Sequence, residues 1–126
     1  MKHALRQART DAAAVITDAG HAAHAYIPAR LATPAVYVQP GAPYVSQADD
    51  TTYGHVDIRL EIVCVQRSGN HDRVGAILDE TLEEVSEALM HAGYAIEEIS
   101  QPFALTTNGT EYPAAGITIR TDLEII

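Results

Sequence analysis

His55-Val56-Asp57-Ile58-Arg59-Leu60-Glu61-Ile62-Val63-Cys64-Val65-Gln66 alternates apolar and polar residues along most of its length. Successive side chains of a strand point to opposite faces. Period two therefore places Val56, Ile58, Leu60, Ile62 and Cys64 on the core face and His55, Asp57, Arg59, Glu61 and Val63 on the other. From Ile62 onward both sets are apolar. A second surface is expected to cover that end of the strand.

Upstream, Leu5, Ala8, Ala12, Val15, Ile16 and Ala19 recur at three- and four-residue steps, which makes one apolar face of a helix. Arg6, Gln7, Arg9, Asp11 and Asp18 fall mostly on the other faces, and Gly20 stops the helix. Residues 22–27 form a short strand ended by Pro28, and Ala35-Val36-Tyr37-Val38 a second one. Residues 40–54 are rich in turn formers and predict a long loop, of the kind that in a compact domain carries function. Its Tyr44 and Tyr53 suit partner contact.

Downstream, Arg67-Ser68-Gly69-Asn70-His71 reads as a turn, with Asn70 or Asp72 placed to cap the helix that follows. Val74, Ile77, Leu78, Leu82, Val85 and Leu89 form the apolar face of that helix, Asp79, Glu80, Glu83, Glu84 and Glu87 its outer side, and Gly93 its end. Residues 94–100 are a fourth strand, and 103–106 with 114–126 a final pair. Asn108-Gly109 is a hairpin signal, although the residues around it suggest a longer loop. The order is helix, three strands, helix, three strands. Both helices end in Ala-Gly, a weak internal echo. Such grouping predicts an α+β domain over residues 1–126: a mostly antiparallel β-sheet with two α-helices packed on one face.

The chain has 126 residues, of which 47% are hydrophobic, with no Trp and few aromatics, so the core must be aliphatic. Eight Lys plus Arg against seventeen Asp plus Glu give a net charge of −9. A surface that wraps nucleic-acid phosphates is basic, and this balance argues against one. An acidic wall past which DNA slides remains compatible with it, because such a wall repels phosphate. The lone Cys64 lies in an apolar run and reads as a small buried hydrophobe. No apolar stretch approaches membrane-spanning length, and no signal-peptide core follows Lys2 and Arg6. Asn108-Gly109-Thr110 matches a glycosylation sequon but reads as turn chemistry.

Chemistry-bearing patterns are sparse. His21 and His24 have metal-ligand spacing, but Gly20 has just ended the helix that would align them. His55 and Asp57, continued by Arg59 and Glu61, could form an acid–base row; a sheet face with cross-strand charge pairs is the more common outcome. His71-Asp72 reads as a capping turn. Ser46, Ser68, Ser86 and Ser100 lack a nucleophile-elbow setting, and no Gly-rich phosphate loop is present. No catalytic, metal or cofactor site is expected, and the chain is expected to act by assembling with other chains.

Several stretches together resemble one family. They are Leu5-Arg6-Gln7-Ala8-Arg9 with Asp18-Ala19-Gly20, His24-Ala25-Tyr26-Ile27-Pro28, Ala35-Val36-Tyr37-Val38-Gln39-Pro40-Gly41 with Pro43-Tyr44-Val45, Arg59-Leu60-Glu61-Ile62-Val63, the acidic helix, and Ser100-Gln101-Pro102-Phe103. In layout and style these resemble the tail terminator proteins of long-tailed, siphovirus-type bacteriophages, particularly those infecting actinobacteria. The resemblance implies a structural virion protein assembled in the bacterial cytoplasm. It would form a ring, usually of six copies, that caps the tail tube at its head-proximal end, stops polymerisation and joins head completion proteins. Its partners would be its own copies, the major tail tube protein and a head completion or stopper protein, with DNA only as passing cargo and no membrane. Tyr44, Val45, Asp49, Asp50 and Tyr53 are then the candidate oligomer or tube contacts. Asp79, Glu80, Glu83, Glu84 and Glu87 are the candidate acidic lumen or solvated face. A head–tail connector or neck adaptor is the nearest alternative, and a small hydrolytic enzyme using His55 and Asp57 a remoter one.

Overall fold

The computed structural model describes residues 3–47, 53–69 and 71–125. In chain order the elements are α1 (Ala4–Asp18), β1 (Ala23–His24), β2 (Ala35–Ser46), β3 (His55–Val65), α2 (His71–His91), β4 (Ala95–Ile99), β5 (Phe103–Thr107) and β6 (Thr110–Glu124). The six strands form one sheet in the order β1-β2-β3-β6-β4, with β5 also on β6. All pairings are antiparallel except the short β1–β2 pair. The α+β architecture expected from the sequence is thus the observed one.

The alternation of β3 positions the core. Ile58, Leu60, Ile62 and Cys64 face the helices together with Val36 and Val38 of β2 and Ala115, Ile117 and Ile119 of β6. The helices bring Ala8, Ala12, Ala13 and Ile16 from α1 and Leu78, Leu82, Val85 and Leu89 from α2. Alanines along α1 allow it to approach the sheet closely, since helix separation follows side-chain size. Both helices close on a left-handed glycine, Gly20 at φ +99 and Gly93 at φ +95. In each, the following amide donates back five residues, His21 to Ile16 and Tyr94 to Leu89. Asp72 lies in the first turn of α2, while Asn70 is outside the described residues.

The helix-free face is divided. At the far end of β3, Tyr37, Val63, Val65 and Ala114 form a second small cluster. It is covered by Leu31 from the β1–β2 connection and by Leu105 and Tyr112 from the β5–β6 hairpin. This is the cover that the doubly apolar end of β3 demands. The other half of the face is polar.

Three expectations are corrected. First, residues 40–54 are not one long loop: β2 continues to Ser46. Pro40 pairs with Leu60 and Val45 with Ile58, so Gly41, Ala42, Pro43 and Tyr44 together oppose Arg59. Proline cannot donate to a ladder, and a bulge is where a strand accommodates it. Gly41 lies in that bulge because a Cβ there would come within 2.8 Å of the Arg59 Cβ. Second, the β5–β6 connection is tight: Thr107 pairs with Thr110, with φ of 52 at Asn108 and 77 at Gly109. Two positive φ angles make it the turn whose twist matches the strands. Third, the strand expected at 22–27 shrinks to Ala23–His24 and runs parallel to β2.

Candidate functional site

Of the five contact residues chosen from the sequence, three lie among the described residues. Tyr44 is half-buried and packs against the main core. Its hydroxyl accepts from Arg9 Nε at 3.4 Å, and its ring centroid is 5.8 Å from the guanidinium carbon. The bulge turns it toward the core of its own subunit. Val45 is 41% and Tyr53 87% exposed, the latter the highest value among the exposed large hydrophobic residues. Asp49 and Asp50 lie outside the described residues.

Arg9 is the charged residue that the apolar face of α1 takes in. Its spacing of four from Leu5, three from Ala12 and seven from Ile16 places it on that face, and it is buried. It lies 4.3 Å from the Tyr26 ring and donates to the carbonyl oxygens of Ala25 and Val38 at 3.4 Å. A guanidinium can enter a core this way because its planar fork meets several acceptors while its faces stack on rings.

Asp79, Glu80, Glu83, Glu84 and Glu87 are all exposed along the outer side of α2, as expected. Glu84 lies 3.2 Å from His21 and Glu87 3.6 Å from His91. This surface presents repulsive charge to phosphate.

The row that began at His55 forms a cross-strand charge network. His55 Nδ1 is 2.6 Å from Asp122 of β6. Arg59 grips Glu97 of β4 through Nε at 2.6 Å and Nη2 at 3.3 Å, reaching across β6 to do so. Arg120 adds a longer contact to Glu97 at 3.9 Å. Gln39 donates its side-chain amide to Glu61. The two-pronged Arg59 contact fixes orientation as well as distance. Glu97 and Glu98 were invisible to strand alternation: the irregularity between Ile96 and Glu98 lets Glu97 join Glu98 on the helix-free face. With Arg59, Glu61 and Thr118 they line an open cleft of about 420 Å³.

Three groups have their pKa values raised, and so are weaker acids, because of their surroundings. Burial and then Glu61 raise the Tyr37 hydroxyl, and burial and then Asp11 the Tyr94 hydroxyl. Burial pushes the Cys64 thiol to about 12. A thiol held protonated in apolar packing is a poor nucleophile. His21 and His24 join no group of three metal-ligating side chains among the described residues. No helix among them is long and apolar enough to cross a membrane.

Exposed apolar residues distinguish the two edges of the sheet. Tyr26, Ile27 and Val45 lie on the β1–β2 side, and Ile99 and Phe103 on the β4–β5 side. Near Phe103, an open groove of about 490 Å³ runs between the first half of α2 and the base of the β5–β6 hairpin. No protein-family model matches this chain, and no curated protein matches it in sequence.

Proposed function

We propose that this chain is a structural ring subunit of the tail terminator type, which assembles head to tail and caps a phage tail tube. The observation that carries the reading is the difference between the two sheet edges. A closed ring needs a heterologous interface, in which one patch meets a different patch on the next copy. Tyr26, Ile27 and Val45 on one side and Ile99, Phe103 and the groove on the other supply two non-identical apolar surfaces. The acidic outer side of α2 supports it too, because a conduit that passes DNA must not hold it.

The experiment is native mass measurement of the purified protein, with negative-stain imaging of the same sample and a tube-growth assay. Closed rings of about six copies, or a monomer that caps tail tubes and halts their growth, are the expected results. A monomer that leaves tube growth unchanged overturns the proposal.

A further inference from the structure

We infer that Tyr53 of one copy docks into the groove between α2 and the β5–β6 hairpin of the next, forming the head-to-tail joint. This inference rests on the ring reading and names the residues of its interface.

Tyr53 is 87% exposed, two residues before the start of β3 at His55. Tyrosine combines an apolar ring with a polar tip, the chemistry enriched at the centres of interfaces. The groove has the opposite shape. Val74, Leu78, Phe103 and Pro113 give it apolar walls, and Ser68 and Glu111 supply polar atoms at its rim. Gly75 leaves its floor open, since a Cβ built there meets nothing within 4 Å.

Knob and groove cannot meet within one molecule. Tyr53 precedes the start of β3, and Ser68 and Gly69 of the groove follow its end. Eleven strand residues separate them, about 35 Å at ~3.3 Å per residue. A knob at one end of a strand and its socket at the other produce a heterologous contact, which propagates until rotation closes it.

Charge favours a second copy as the occupant. The Tyr53 end of the sheet carries Asp57, Asp122 and Glu124, with His55 beside Asp122. The groove end carries Arg67 and Arg73, with Arg30 nearby where Ala29 accepts from Asn108 of the hairpin. Asp72 and Glu111 are the acids there, and the N-terminal pole of α2 adds partial positive charge. In a chain of net charge −9, three of the eight Lys plus Arg gather at this end. An acidic end therefore meets the end of its neighbour where Arg30, Arg67 and Arg73 gather.

Two variants and their mixture test this by native mass. Tyr53→Ala removes the knob from an exposed position. Gly75→Leu fills the groove with a better helix former, so the fold is retained or strengthened. Circular dichroism and melting of each variant check the fold. Each variant alone should run at the single-chain mass of 13.5 kDa. Their mixture should stop at one-to-one dimers, because one intact knob and one intact groove remain between them. Variants that still form wild-type rings overturn this joint and leave the ring reading standing. A wild type that never self-associates overturns the joint, and the ring reading is then decided by tube capping. Mixtures that rebuild full rings overturn the head-to-tail arrangement.

Discussion

Replacing Arg9 by alanine tests whether this buried cation holds α1, the β1 segment and the β2 bulge together. Its hydrogen bonds to Ala25, Val38 and Tyr44 are all 3.4 Å long, so each counts at the weak end. The Tyr26 ring at 4.3 Å adds a cation–π contact out of full solvent, about 1 kcal/mol. Removing the fork also leaves the Val38 carbonyl buried without this donor, a loss of ~1–2 kcal/mol. The sum is about 3 kcal/mol with the lost stem packing. For 126 residues, an unfolding entropy of ~2.1 cal/mol/K per residue converts this to a fall in Tm of about 11 °C. Thermal unfolding followed by circular dichroism reads it directly. Arg9→Lys should recover part of the loss, since it restores charge but not the fork. A double-mutant cycle with Tyr26→Ala should return a coupling of about 1 kcal/mol. A fall smaller than about 3 °C for Arg9→Ala would refute the assignment of Arg9 as the tie.

Four further outcomes are expected. Gly41→Ala should destabilise by ~1–3 kcal/mol, because its Cβ would lie 2.8 Å from the Arg59 Cβ and 3.0 Å from the Arg59 carbonyl carbon; unchanged urea unfolding would contradict the tight bulge. Gly109→Val should cost ~1–2 kcal/mol at φ 77, whereas Thr106→Val, on the exposed surface beside it, should change little. The Cys64 thiol has a normal value of 9.0 and rises to about 12 on burial. The unfolded chain therefore loses that proton first. Its contribution is intact below pH 9 and declines between pH 9 and 12 by ~1.4 kcal/mol per pH unit, a slope that Cys64→Ala should remove from urea titrations. Fluorescence anisotropy should detect no duplex DNA binding at moderate salt; tight, salt-sensitive binding would contradict an acidic conduit.

Local patterning carried most of the fold. Period two in residues 55–66 determined which side of β3 faces the helices, and the helical spacing in both halves determined what packs on it. Ala-Gly at both helix ends set their termini, and Asn108-Gly109 set the hairpin. These signals are legible because each depends on residues within one or two turns of chain. The acidic side of α2 was legible for the same reason. The internal echo survives in the element order and in the central β3–β6 pair, but not in the pairing of β1, which joins β2 while its counterpart β4 joins β6.

What the sequence left open depended on distant partners. Residues 40–46 look like loop because proline and glycine are strand breakers locally, yet the unbroken β3 alongside holds them as a strand and a bulge absorbs the misfit. Arg9 looks like a surface residue because charge usually stays in water, yet two tyrosines and two carbonyl groups from elsewhere in the chain offset its desolvation. Glu97 joins Arg59 only because β4 slips register against β6. The groove near Phe103 exists only where α2 and the β5–β6 hairpin come together. The sequence by itself thus determined the elements and their buried faces, through local periodicity and turn chemistry. Tertiary structure alone decided which polar side chains turn inward and where grooves open, because those depend on atoms that only the folded chain brings within reach.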